Sequence, residues 1–160
     1  MKKNLFILAS MVLFFLAACK KDSTTTVASV ITPGTGITEI NIGQTAQEII
    51  NKLGAGSDSN FSIGGFYTHS KTYLDKGISV QFEQSTSSKI TSDQKILYIT
   101  VSSPYTGATS KGIKIGSKKS EVTAAYGNPI SSSAFFGDVY TGMTITYDDK
   151  DIIESIEITK

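Results

Sequence analysis

Residues 113–129 read IKIGSKKSEVTAAYGNP, and an earlier segment, residues 40–56, reads INIGQTAQEIINKLGAG. The two align without a gap. Ile40/Ile113, Ile42/Ile115, Gly43/Gly116, Glu48/Glu121 and Gly54/Gly127 are identical, and Ile49/Val122 and Leu53/Tyr126 are alike in being bulky and apolar. Writing one short pattern twice in 160 residues predicts a duplicated structural unit.

Each copy reads as a short strand, a turn and a helix. Thr45-Ala46-Gln47-Glu48 fits a capping box, with Thr45 as N-cap and Glu48 reaching back. Ser117 is the expected cap of the second copy, supported by Glu121 in the first turn. Ala46, Ile49, Ile50 and Leu53 lie at helical spacing, as do Val122, Ala125 and Tyr126. Gly54 and Gly127 stand where a left-handed residue ends a helix, and Pro129 forbids continuation. Helices this short are marginal alone and need a sheet to pack on.

Three strand-like segments follow each helix: about 61–69, 77–83 and 96–102 in the first half, and 134–140, 143–147 and 152–159 in the second. The middle pair, GISVQFE (77–83) and GMTITYD (142–148), alternates apolar and polar in the same phase, the mark of a half-buried strand. The expected fold is therefore α+β: a tandem β-α-β-β-β repeat with a largely antiparallel sheet of six main strands. Two short helices pack on one face, and the other face stays partly open. The domain is expected over residues 37–160, with repeats at 37–102 and 112–160.

The N-terminus gives an address. Lys2 and Lys3 precede an apolar run over residues 5–16, too short to span a bilayer but suited to a secretory signal. Leu16-Ala17-Ala18-Cys19 resembles the lipobox of bacterial lipoproteins. That resemblance implies a signal peptide over 1–18, lipidation of Cys19, and attachment to a membrane surface through the lipid. The alternative is a simple secretory signal followed by a free thiol. Residues 19–36 read as anchor and tether, polar and Thr-rich, with a mean span of roughly 23 Å as a coil. Lys20-Lys21-Asp22 loosely resembles the charged signals that send some outer-membrane lipoproteins to the cell surface. The implied location is the bacterial outer membrane, facing the periplasm or the cell surface.

Composition excludes several functions. Cys19 is the only cysteine, so neither an internal disulfide nor a multi-thiolate metal site is available. The formal charge of +1 falls to −1 once Lys2 and Lys3 are removed, and there is no arginine, which argues against a nucleic-acid partner.

The I-x-I-G pattern, followed by Glu-Ile or Glu-Val, a glycine stop and strands ending Gly-apolar-x-apolar-x-aromatic, is similar to two groups. One is the SmpA/OmlA (BamE) outer-membrane lipoproteins; the other is the β-lactamase-inhibitor-protein-like tandem-repeat proteins. The resemblance covers residues 40–158 and is best over 113–129. It implies a protein that binds other proteins through an exposed sheet face or supports envelope assembly. The chain departs from both groups: one helix per half where they have a helical hairpin, no disulfides, and Gly56 where the second copy has Pro129.

Sites of chemistry are sparse. His69 is the only histidine, and no G-x-S-x-G elbow accompanies it. Asp148-Asp149-Lys150-Asp151 lacks the Gly and Glu of a calcium loop and reads as a hairpin turn, so no metal and no cofactor are expected. Gly54–Ser57 and Gly64-Gly65 do not complete a phosphate-loop pattern and read as a helix cap and the loop leading into a strand. The tyrosines are the more suggestive group. Tyr67 and His69 share a strand face, Tyr98 projects opposite Leu97, Ile99 and Val101, and Tyr105 lies in the Ser-Pro-Tyr-Thr-Gly turn. These four form the candidate binding surface. The expected function is a non-enzymatic envelope lipoprotein with a protein partner. The alternatives are a surface lipoprotein binding carbohydrate or another small ligand and, more distantly, a hydrolase.

Overall fold

The computed structural model describes residues 29–160. The signal peptide and Cys19 lie outside the described residues. Two short strands, β1 (Val30–Thr32) and β2 (Gly36–Ile37), lead into helix α1 (Ala46–Leu53). A meander follows: β3 (Ser57–Ile63), β4 (Phe66–Tyr73), a 3₁₀ turn, β5 (Ile78–Phe82) and β6 (Ile96–Ser102). After β7 (Ala108–Thr109) and helix α2 (Lys119–Tyr126) comes a second meander: β8 (Ser131–Ser133), β9 (Gly137–Tyr140), β10 (Met143–Tyr147) and β11 (Ile153–Ile158).

The strands form one eight-stranded antiparallel sheet in the order β3-β4-β5-β6-β11-β10-β9-β8, and a small sheet in the order β2-β1-β7. The two meanders meet through their last strands, with Ile99 opposite Ile158 and Val101 opposite Ile156. The inner face carries Ile78, Val80, Phe82, Ile99, Val101, Met143, Ile145, Ile156 and Ile158. They share one core with Ile31, Ile37 and Ile40 from the N-terminal strands and connection and with Ala46, Ile49 and Val122 from the helices.

This architecture overturns the expected α+β class. The structure is mostly β, with 45% strand and 14% helix, and its eight-stranded antiparallel sheet is not a clear α+β repeat. Each half supplies four strands to the sheet instead of three. The expected segment 61–69 is in fact a hairpin. Gly64 and Gly65, with φ of 57° and 83°, form a two-residue turn that brings Ile63 opposite Phe66. Positive φ at both central residues is what such a turn demands. The fold also begins before residue 37, because Ile31 is buried and β1 pairs with both β2 and β7.

Both helices are fixed to the sheet by matching backbone bonds. Gly43 N–H donates to the Ile96 carbonyl and Ile96 N–H to that of Gln44; Gly116 N–H donates to the Ile153 carbonyl and Ile153 N–H to that of Ser117. The full capping box forms only in α1, where Glu48 N–H meets Thr45 Oγ1 at 3.3 Å and Thr45 N–H meets Glu48 Oε2 at 2.7 Å. In α2 the cap position is Lys118, one residue later than expected. Glu121 Oε2 still accepts from the Lys118 N–H at 2.7 Å, but lysine has no acceptor to return. Ser117 Oγ instead accepts from the Lys114 N–H at 3.3 Å. Gly77 and Gly142 immediately precede β5 and β10, both at positive φ. The Gly142 carbonyl accepts from Gly34 N–H at 2.8 Å, so an added Cβ at Gly142 would sit 2.3 Å from that nitrogen.

Candidate functional site

The four tyrosine and histidine candidates do not converge. Tyr98 lies on the outer sheet face, half-buried, and its hydroxyl donates to Gln81 Oε1. Tyr67 and His69 lie on the inner side of β4, with parallel rings 6.0 Å apart. His69 is buried. Tyr105 is also buried, in the wall of a cavity of about 360 Å³ shared with Leu53, Ile78 and Glu39. Burial, then the Glu39 charge, pushes its hydroxyl up to about 12.

The expected core set of Leu97, Ile99 and Val101 needs one correction. Register shifts between Gln81 and Phe82, which leaves Leu97 as an extra residue on β6. Ile96 takes the buried place opposite Phe82, and Leu97 is 47% exposed. The bulge keeps Tyr98 on the outer face.

That outer face is the most distinctive surface among the described residues. One row of directly paired residues crosses all eight strands: Ser57, Thr72, Ser79, Thr100, Glu157, Thr144, Val139 and Ser131. At the usual strand spacing the row is roughly 34 Å long. Hydroxyl side chains dominate it, and Thr72 and Ser79 hydrogen bond at 3.3 Å. None of the eight is among the binding candidates read from the sequence. Among the described residues no helix and no strand of the small sheet covers them, and they alternate with the buried inner residues. Near the centre stands one charge, Glu157, which burial holds above the ordinary carboxylate range. At one corner the β3–β4 hairpin turns Phe61, Ile63 and Phe66 toward the same face, each more than half exposed.

On the inner side each half buries an ion. Lys71 Nζ meets the Asp58 carboxylate and the Ala55 carbonyl, the latter at 2.6 Å. Asp138 accepts from Ser132 Oγ at 2.5 Å, and Lys119 Nζ lies 3.0 Å from its other oxygen. The buried hydroxyls of Tyr140 and Tyr147 complete that cluster. A concavity of about 660 Å³ lies between residues 111–117 and α2 and is wide open. Lys111 there is occupied, bonded to the Ala125 carbonyl at 2.8 Å and set over the Tyr126 ring. The Asp148–Asp151 turn is likewise self-satisfied: Asp148 Oδ1 accepts from the backbone of Lys150 and Ile152.

Comparison with known families, with characterised proteins and with solved structures returns no match. The likeness to the SmpA/OmlA and β-lactamase-inhibitor groups therefore rests only on the residues quoted from the sequence.

Proposed function

We propose that this chain is a lipid-anchored binding module of the bacterial cell envelope that holds a protein partner against the outer face of its eight-stranded sheet. The observation that carries the reading is the uncovered row from Ser57 to Ser131, a broad surface of hydroxyl groups with an apolar corner at Phe61, Ile63 and Phe66. An apolar anchor beside a polar, hydrogen-bonding field is the composition of a protein interface. Glu157 sets the complement: a partner covering it brings a lysine or arginine to the centre of the contact. Binding rather than catalysis is the proposed mode, because the one imidazole of the chain is buried and engaged with Gln94. The proposed attachment is through Cys19 to the outer membrane.

Photo-crosslinking in intact cells tests this. A crosslinking amino acid at Thr100 or Thr144 is expected to capture one discrete envelope protein, and the same group at Ser120 on α2 to capture none. Capture from Ser120 alone would sink the reading. Cys19→Ser is expected to release the protein from membranes; full retention would remove the anchor.

A further inference from the structure

We propose that the recess beneath the β3–β4 hairpin, on the side away from the open face, binds a small neutral ligand rich in hydroxyl groups, a monosaccharide or polyol. The argument starts at His69, whose side chain is 1% exposed. Gln94 Nε2 lies 3.1 Å from His69 Nδ1. The same amide nitrogen donates to the Glu83 carbonyl, an atom that only accepts. The orientation of the Gln94 amide is thereby fixed, and Nδ1 must accept. The ring proton of His69 then sits on Nε2. That nitrogen is buried and has no partner among the described residues. A buried N–H without an acceptor is costly, and an acceptor bound in the adjoining recess relieves that cost once a small shift uncovers the ring edge.

The recess that His69 lines has a volume of about 340 Å³, and Asp58, Asn60, Ser88, Lys89 and Ile90 share its wall. This is the size of a small-ligand cleft, which begins near 300 Å³. The wall chemistry selects the occupant. His69 and Lys89 donate, Asp58 accepts, and Asn60 and Ser88 do both. Ile90 adds one apolar surface. A metal ion finds no cluster of three ligating groups among the described residues, and Nε2–H would turn a proton toward it. A small anion would meet His69 and Lys89 but also the Asp58 carboxylate. A ligand of several hydroxyls, each both donor and acceptor, satisfies every group at once. Lys71, pinned beneath Asp58, holds that carboxylate in place. Because His69 alternates with Thr68 and Ser70 of the outer face, this site stands or falls independently of the protein-binding surface.

The test is nitrogen-detected NMR of the His69 ring in the full chain, titrated separately with glucose, galactose, mannose, glycerol and sodium acetate. At least one sugar or glycerol is expected to shift the Nε2 signal saturably. Asn60→Ala and Lys89→Ala, both at exposed positions that leave the core intact, are each expected to weaken that binding about tenfold, the loss of one good hydrogen bond. No saturable shift with any sugar or glycerol at molar concentration would overturn the proposal. So would saturation by acetate alone, or unchanged sugar affinity in both variants.

Discussion

Lys71 and Asp138 occupy matching places in the two halves of the sheet. Each is on the inner face of the second strand of its meander, and each pairs with an apolar residue of the next strand, Val80 or Ile145. Both are buried, at 4% and 1% exposure, yet they carry opposite charges. The difference lies in where the partner comes from. Lys71 is neutralised from the sheet edge by Asp58, whose own side chain is 59% exposed. Asp138 is neutralised from the helix by Lys119, whose ammonium also lies over the Tyr147 ring. The contrast explains how two helices of unequal quality are held. α1 buries Ala46 and Ile49, whereas α2 buries only Val122, and a charge joins α2 to the sheet where apolar area is lacking.

The largest break in this comparison is Asp138→Lys. It places an ammonium beside Lys119 inside the core and is expected to cost about 3–5 kcal/mol or more, read from urea unfolding. An unmoved midpoint would show that no buried ion pair exists there. Next come the partners. Lys119→Ala leaves the Asp138 carboxylate buried with only the Ser132 and Tyr147 hydroxyls and is expected to cost about 1–3 kcal/mol, with faster hydrogen exchange in α2. Asp58→Ala should cost less, because Asp58 is largely in water and Lys71 keeps the Ala55 carbonyl. Equal losses would erase the distinction between edge and helix.

Acid sharpens the same contrast. Burial alone would raise the Asp138 pKa, but the Ser132 hydroxyl, Lys119 and Tyr147 outweigh it and hold the carboxyl below its ordinary value. A folded-state value below the unfolded one contributes stability above the unfolded pKa, near 4, and loses it as pH falls through the folded value. Urea midpoints should therefore fall below about pH 4 in the wild type by an amount missing from Asp138→Asn. Identical pH profiles would contradict this. The smallest effect is expected at Glu157, whose pKa burial raises. The sign is opposite: its stability is full below the unfolded pKa and lost as pH rises through the folded one. Glu157→Gln should gain a few tenths of a kcal/mol at pH 7 and nothing near pH 4 in thermal melts. A loss at pH 7 would show a hidden partner for the carboxylate.

Where a residue has one wet and one dry side, the sequence announces it. β5 and β10 alternate cleanly because both lie well inside the sheet, and the Thr45–Glu48 box marks the start of α1. β3 is invisible by the same logic. SDSNFSI is exposed at every position, so no alternation betrays it. Its one signal was Gly64-Gly65 between Ile63 and Phe66, the chemistry of a tight hairpin. β8, three serines, gives no signal at all. With β3 unread, nothing in the sequence marked Lys71 or His69 as buried. Their burial comes from Asp58 across the hairpin and from the Gln94 loop folding back, contacts between residues far apart in the chain. Tyr98 was legible because Ile99 and Val101 set the alternation around it.

The meeting of β6 with β11 fixes the order in which the molecule can assemble. β3 to β6 is a meander of sequence neighbours, its longest connection running over residues 83–95, and β8 to β11 is another with shorter loops. The middle of the sheet is different: Ile99 waits for Ile158, and Val101 for Ile156, from the last strand of the chain. Non-local pairing of this kind slows folding. Until β11 arrives, the long edge of β6 stands open with Ile99 and Val101 beside it, so a chain cut short before residue 153 loses its centre and not its margin. The final residues therefore act as the seam that commits two separate meanders to one sheet.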